Sequence, residues 1–160
     1  LAALKDLKQD FPYLRYLVLG RRKGGYFRVI KRLVERLGLH DIVEFTGFVS
    51  AEERDRLIKQ SWLTVSTSVK EGWGLAVAEA AALATPAVVY DVPGNRDAVK
   101  HLETGLHTID NTPEMLAQAI RKLLTDEKLR SGMGENARKF ASTLDWERSY
   151  EQFKEVVGLS

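Results

Sequence analysis

The chain has 160 residues, of which 44% are hydrophobic and 29% charged, a balance typical of one soluble globular domain with a sizeable core. It contains no cysteine, which excludes disulfides and thiolate metal sites, and its three histidines lack the spacing of metal ligands. The net charge of +2 is compatible with anionic small molecules and does not indicate nucleic acid as a partner.

Apolar, strand-like runs alternate with helical patterns along the chain. The predicted strands cover residues 13–19, 42–45, 62–65, 87–90 and 106–109. The predicted helices cover residues 1–10, 26–37, 75–84, 95–101, 113–124, 127–141 and 146–157, with another after the capping box at 50–53. The strands lack polar alternation, which is typical of a parallel sheet covered by helices on both faces.

Three turns lie at the carboxyl ends of predicted strands, where parallel α/β sheets bind their ligands. They cover residues 20–25, 46–50 and 66–74. The chain also opens inside a helical pattern, with no capping residue and no initiator methionine. We therefore expect a fragment from which upstream segments are missing.

The third turn carries the most chemistry. Gly72 and Gly74 precede Leu75–Ala84, a run of small residues in which Glu79 is the one polar side chain. A helix so apolar is normally buried, so we expect Glu79 either to point at a ligand or to occupy one wet strip. Glycines let a ligand approach the backbone, and the N–H groups at a helix start suit a phosphate.

The segment EGWGLAVAE, from Glu71 to Glu79, resembles the signature of group 1, family 4-like retaining glycosyltransferases. These enzymes have the GT-B architecture of two Rossmann-like domains. Flanking segments resemble the family as well: FTGFVS at 45–50, TPAVVYDVPG at 85–94, RDAV at 96–99 and TGL at 104–106. The resemblance covers residues 15–157 and implies an α/β fold, with a Rossmann-like parallel sheet flanked by helices, as in the C-terminal half of a GT-B enzyme.

The resemblance implies different roles for the two glutamates. Glu79 would accept hydrogen bonds from the ribose hydroxyls of a sugar nucleotide, because an ionised carboxylate offers only acceptors to a diol. Glu71 would be the catalytic residue beside the anomeric carbon of the donor hexose, bonding sugar hydroxyls or stabilising an oxocarbenium-like transition state. Whether Glu71 is a nucleophile is left open. The alternatives are a solvated helix residue for Glu79 and an exposed turn residue for Glu71.

The remaining donor-binding residues follow from the same resemblance. Backbone N–H groups would contact the sugar and the diphosphate at Gly72, Trp73, Gly74 and Leu75, although the Trp73 side chain could instead anchor the turn in a core. The nucleobase would lie at Phe48 and Val49, mostly against backbone atoms. Simple packing at the strand end explains those two residues equally well.

Two further positions depart from the family pattern. The turn at Arg21, Arg22 and Lys23 replaces a glycine-rich turn, and its cations either neutralise the diphosphate or belong to a solvated loop. Ala84 stands where the family commonly has glycine, so a left-handed backbone there would be strained by about 1 kcal/mol. The family's Arg and Lys that grip the diphosphate would lie upstream of Leu1.

The resemblance implies hexosyl transfer from a nucleoside-diphosphate sugar to a glycan or lipid-linked acceptor, with retention, as in polysaccharide biosynthesis. It implies no metal or other cofactor, because helix starts and basic side chains can carry the diphosphate charge. We expect residues 1–160 to form one donor-binding domain that lacks its first strand and the N-terminal acceptor domain, and that is inactive alone.

Two other functions remain open from the sequence. One is a non-catalytic domain that binds a nucleotide or a protein partner. The other is a GT-B sugar-nucleotide epimerase, which the paired glutamates disfavour. No apolar run approaches a bilayer span, so we expect a cytoplasmic protein, with the parent enzyme able to associate peripherally with the inner face of a membrane.

Overall fold

A computed structural model describes residues 1–158, except for the side chains of Trp146, Arg148 and Gln152. The strands are β1 (Tyr16–Leu19), β2 (Val43–Gly47), β3 (Thr64–Ser66), β4 (Ala87–Val89) and β5 (Gly105–His107). The helices are α1 (Ala2–Asp10), α2 (Gly25–Arg36), α3 (Ala51–Gln60), α4 (Leu75–Ala82), α5 (Pro93–Ala98), α6 (Pro113–Thr125), α7 (Glu127–Ala141) and α8 (Trp146–Val157). The predicted alternation of strands and helices is confirmed, and the element ends differ by a few residues.

The five strands are all parallel, as predicted, but they form two sheets. In the first sheet β1 pairs with β2, and Tyr16 lies opposite Val43. In the second sheet β4 lies between β3 and β5, and Val88 lies opposite Val65 and Leu106. Within residues 1–158 no ladder joins β1 to β3.

One hydrophobic core serves both sheets. Leu7 of α1 and Leu123 of α6 are fully buried in it, together with Val88 of the second sheet, and Val18 of the first sheet packs against them. Each such side chain contributes about 1.5–3 kcal/mol through burial. Helix α1 packs against α6, so it ties the start of the chain to the second sheet.

Hydrogen bonds from side chains or from the backbone define the ends of three helices. Ser50 accepts a hydrogen bond from Glu53 N at 3.2 Å and Thr112 accepts one from Met115 N at 3.3 Å, as expected of N-caps. Ala84 has φ of +60°, a left-handed conformation on a non-glycine residue, and the predicted helix 75–84 ends earlier, at Ala82. The Thr85 N–H bonds to Ala80 O at 3.0 Å across this turn, the pattern of a Schellman motif.

Not one of the helices described in residues 1–158 is both long and apolar enough to cross a bilayer.

Candidate functional site

The first two turns expected to bind a ligand lie side by side at the carboxyl end of the first sheet. Gly20 N donates to Gly47 O at 3.1 Å, which joins the two turns directly. Together they line an open cleft of 490 Å³, the basic cleft, whose walls are Arg21, Arg22, Lys23, Thr46, Gly47 and Phe48. Gly47 has φ of +81°, and Arg22 covers it so closely that a Cβ there would lie 3.3 Å from Arg22 Nε.

The cations of the basic cleft are available to an anion. Arg21, Arg22 and Lys23 are exposed, and no ion pair among the described residues involves any of them. The Arg21 guanidinium lies 6.0 Å from the centre of the Phe48 ring. Phe48 is 78% exposed, so strand-end packing does not account for its side chain, whereas Val49 is half-buried.

The glycine loop, residues 71–74, leads into α4 with unsatisfied donors. Gly74 is the N-cap residue and offers no side-chain cap, and the first turn of α4 holds no acidic residue. Leu75 N donates to Trp73 O at 2.8 Å. No hydrogen bond of the described residues uses the N–H groups of Gly72, Trp73 or Gly74. This helix start therefore has the free donors and the positive dipole end that an anion requires.

The two glycines of this loop have different neighbours. A Cβ on Gly72 would meet nothing within 4 Å, so packing within the chain does not explain a glycine there. A Cβ on Gly74 would lie 3.2 Å from Ala98 Cβ and 3.4 Å from Asn95 Oδ1, both on α5. Gly74 is therefore small because α5 supports the loop, and the open side of the loop lies at Gly72.

Glu71 is held in place by its backbone rather than by its side chain. A Cβ on Gly94 would overlap the Glu71 carbonyl and would lie 2.7 Å from its carbonyl carbon. The Glu71 carboxylate is half-buried and makes no hydrogen bond or ion pair with the rest of residues 1–158. Its acceptor atoms are free. Trp73, at 37% exposed, does not anchor the loop in the core.

Helix α4 is buried on one side only, and this corrects the expectation of a helix buried all round. Val77, Ala80 and Ala81 are buried, and the helix packs against α7. Leu75 is 68% exposed. Glu79 lies one turn further along the same face and is also exposed, with α3 as its neighbour. Its side chain forms an ion pair with Arg54, with Nη1 and Oε1 3.2 Å apart.

Three residues of this region carry no recognisable signal in the sequence. Arg54 lies within the charged run of α3, which reads as a solvated face. The sequence predicts Gly94 in a turn and Asn95 at the start of a short helix, and both lie in the first turn of α5 beneath the glycine loop. Asn95 is fully buried; its Nδ2 donates to Tyr90 O at 2.9 Å, while its Oδ1 has no partner among the described residues.

Charge pairing and burial shift several pKa values near the strand ends. Hydrogen bonds to Asp55, and then the charge of Glu79, raise the pKa of Arg54. The Arg96 guanidinium, 2.6 Å from Asp91 Oδ1, lowers the pKa of Asp91. Burial lowers the pKa of His107. None of these groups forms a metal-binding cluster of three or more acidic or histidine side chains within the described residues.

Known proteins with similar sequences are glycosyltransferases in the main. The family model described as "Glycosyl transferases group 1" matches residues 1–140. A D-inositol 3-phosphate glycosyltransferase of Corynebacterium urealyticum is 29% identical over 97% of this chain and 37% of its own length. An exopolysaccharide phosphotransferase of Streptomyces coelicolor is 33% identical over 92% of this chain and 16% of its own length. The chain thus spans well under half of these relatives.

Solved structures give the same result. Sucrose-phosphate synthase from Thermosynechococcus elongatus superposes with a TM-score of 0.85 at 27% identity, over 99% of this chain and 42% of that protein. Anabaena HepE, solved in complex with UDP-glucose, superposes with a TM-score of 0.82 at 26% identity, over 98% of this chain and 44% of that protein. With its parallel α/β fold matching GT-B enzymes and a family match over most of its length, the chain belongs to the group 1 glycosyltransferases.

Proposed function

We propose that this chain is the donor-binding half of a retaining glycosyltransferase. The enzyme would move a hexose from a nucleoside-diphosphate sugar to a glycan or lipid-linked acceptor. The observation that carries the proposal is the start of α4, where free backbone donors lie between two carboxylates, Glu71 and Glu79, that a ligand can reach. The crystallised complex of HepE with UDP-glucose supports a nucleotide sugar as the ligand.

Each part of the site suits one part of such a donor. The free N–H groups of Gly72, Trp73 and Gly74 would bind the diphosphate and sugar, for which the open space at Gly72 leaves room. The Leu75 N–H, which donates to Trp73 O in the structure, would join them on binding. Glu79 accepts hydrogen bonds from the ribose hydroxyls. The N–H groups of Gly72, Trp73 and Gly74 give up no bond within the described chain when a ligand arrives, whereas Leu75 N–H and Glu79 each have a partner.

The basic cleft would lie further along the same donor. Arg21 and Lys23 supply positive charge for the diphosphate, and the exposed ring of Phe48 with the backbone of Val49 offers a surface to the nucleobase. With cations and a helix start to carry the diphosphate charge, we propose that the donor binds without a metal ion or other cofactor.

In the reaction the bond between the anomeric carbon and the diphosphate oxygen breaks, and a bond from the acceptor oxygen to that carbon forms. The diphosphate leaves with the bonding electron pair and takes up the proton of the acceptor hydroxyl, and positive charge develops at the anomeric carbon in the transition state. Glu71 would stabilise this charge, and the loop N–H groups would stabilise the leaving diphosphate. Retention would place the acceptor oxygen on the face that the diphosphate leaves.

The split between the two sheets supports a further part of the proposal. Both β1 and β3 have an unpaired edge within residues 1–158, although parallel strands are normally paired and buried. We propose that a strand outside this chain pairs between them, and that a separate acceptor domain closes the site. The parent enzyme would act in polysaccharide biosynthesis at the cytoplasmic side of a membrane, and this chain alone would be inactive.

Glu71→Gln in the two-domain enzyme tests the catalytic role. The amide keeps the size and hydrogen-bonding reach of the side chain but not the negative charge. Because the charge matters most in the transition state, kcat should fall by about 10²-fold or more while the affinity for UDP or GDP stays near wild type. A loss of nucleotide affinity in Glu71→Gln with an unchanged kcat would contradict this role. Inversion at the anomeric carbon of the product, measured by NMR, would contradict retention.

A further inference from the structure

Arg54 connects the helix after the basic cleft to the proposed ribose-binding carboxylate. It lies in the first turn of α3, where its N–H donates to Ser50 O at 2.9 Å. Its side chain crosses to α4, where Nη1 lies 3.2 Å from Glu79 Oε1. The other side of the guanidinium is bound to Asp55, with Nε and Nη2 at 3.1 and 2.9 Å from Asp55 Oδ1.

The two acidic partners of Arg54 hold it in different ways. Asp55 accepts two hydrogen bonds, which fix the plane of the guanidinium. Glu79 is an ion-pair partner only, since none of the side-chain hydrogen bonds found in residues 1–158 joins it to Arg54. Asp55 therefore anchors the arginine, and the arginine directs the Glu79 carboxylate by charge.

This arrangement leaves Glu79 able to bind another partner. Its side chain is 46% exposed, and Oε2 has no partner among the described residues. A glutamate on a helix surface would otherwise sample several rotamers, and the ion pair restricts them before a ligand arrives.

We propose that Arg54 is a positioning residue for ribose recognition: anchored by Asp55, it holds the Glu79 carboxylate in the orientation that accepts the ribose hydroxyls. This inference rests on the proposed function, in which Glu79 binds the ribose. Arg54 itself then makes no contact with the nucleotide. It contributes to nucleotide affinity only through Glu79.

A double-mutant cycle in the two-domain enzyme separates an indirect effect from a direct one. The variants are Arg54→Leu, Glu79→Ala and the pair, and the readout is the Kd for UDP or GDP by calorimetry. Arg56→Leu is the matched control, because Arg56 lies on the same helix and forms an ion pair with Glu53 at 2.6 Å that is also partly exposed. Thermal melting of each variant verifies that it is folded.

The proposal predicts that Arg54→Leu weakens binding about two- to fivefold, as expected for an exposed ion pair, and that Arg56→Leu leaves the Kd unchanged. In the Glu79→Ala background, Arg54→Leu should have no further effect. Arg54→Lys, which keeps the charge, should recover part of the loss.

Three results would overturn the proposal while leaving the ribose role of Glu79 intact. An equal loss in both backgrounds would show that Arg54 contacts the nucleotide directly. Tighter binding by Arg54→Leu would show that the ion pair competes with the ribose. An unchanged Kd for Arg54→Leu, with a loss for Glu79→Ala, would show no positioning. If Glu79→Ala itself left the Kd unchanged, the ribose assignment would fail, and this inference with it.

Discussion

At the scale of single residues, the two glutamates of the signature segment differ in their surroundings. Glu71 is half-buried, and its position is fixed by backbone packing against Gly94. Glu79 lies on an exposed helix face and is paired with Arg54. A carboxylate without a charged partner can respond to charge that develops during a reaction, whereas one restrained by an arginine is suited to a fixed ligand. These surroundings agree with the proposed division of roles.

Ala84→Gly should stabilise the protein by about 1 kcal/mol. Ala84 has φ of +60°, a conformation in which a Cβ is strained and a glycine is not. The matched control is Ala82→Gly, at the exposed last residue of α4, which should destabilise by about 0.5–1 kcal/mol. Chemical unfolding of both variants measures the difference. A loss of stability in Ala84→Gly similar to that in Ala82→Gly would contradict the strain argument.

Gly72→Ala should leave folding intact and weaken donor binding. The added methyl group would meet no atom of the chain within 4 Å, so it would occupy the space that the sugar diphosphate is proposed to use. Overpacking of this kind costs about 1–3 kcal/mol. Gly132→Ala is the control, because its Cβ also meets nothing and it lies on α7, away from the site. Calorimetry with UDP-sugars should show a weaker affinity for Gly72→Ala and a wild-type affinity for Gly132→Ala. A wild-type affinity in Gly72→Ala would contradict a ligand at Gly72.

At the scale of elements, α5 is the support of the glycine loop. Gly94 and Asn95 lie directly beneath the loop, and Ala98 packs against Gly74. Asn95 brings a buried amide oxygen without a partner to this contact, an arrangement that costs about 1–3 kcal/mol. Such a cost at the foot of a binding loop is consistent with selection of the site for function rather than for stability.

Gly94→Ala should therefore lower both stability and transfer activity. Its Cβ would lie 2.7 and 2.8 Å from backbone carbons of Glu71 and Gly72, which cannot move aside as a flexible side chain would. We expect a loss of about 1–3 kcal/mol in unfolding free energy, and a fall in kcat/KM as the loop is displaced. Gly132→Ala again serves as the control in both assays. Wild-type kcat/KM in folded Gly94→Ala would show that α5 does not set the loop position.

The elements also show what sequence patterns can and cannot predict. Periodicity and caps predicted every strand and helix, because these signals are local; Ser50, for example, caps the helix that the capping box at 50–53 predicted. The contacts of Arg54 with Glu79 and of Gly94 with Glu71 join residues 25 and 23 positions apart. Only the packing of α3 and α5 against the α4 region brings them together, so no local pattern encodes them.

At the scale of the whole molecule, the described chain is a domain with open edges. The first sheet ends at β1 and the second begins at β3, and no strand within residues 1–158 pairs with either edge. The sequence predicted parallel strands correctly because apolar runs without alternation indicate them. The division into two sheets was not predictable, because strand order depends on which strands are present rather than on the pattern within each.

Like the unpaired strand edges, one face of α4 is exposed in the described chain. Leu75 and Glu79 lie on it beside the glycine loop, and the basic cleft lies at the carboxyl end of the neighbouring sheet. An apolar helix face left open next to free N–H donors is expected where a ligand and a second domain complete the enclosure. The whole-molecule account thus depends on a nucleotide whose ribose binds Glu79.

Calorimetric titration of the two-domain enzyme with UDP and GDP, comparing wild type with Glu79→Ala, tests this account most directly. Glu135→Ala, at an exposed glutamate of α7, is the control. The account predicts that Glu79→Ala loses about 1.5–3 kcal/mol of binding free energy, roughly 10- to 100-fold in Kd, while melting temperature and the control remain at wild-type values. Unchanged affinity in Glu79→Ala would contradict the account and leave Glu79 a solvated helix residue paired with Arg54.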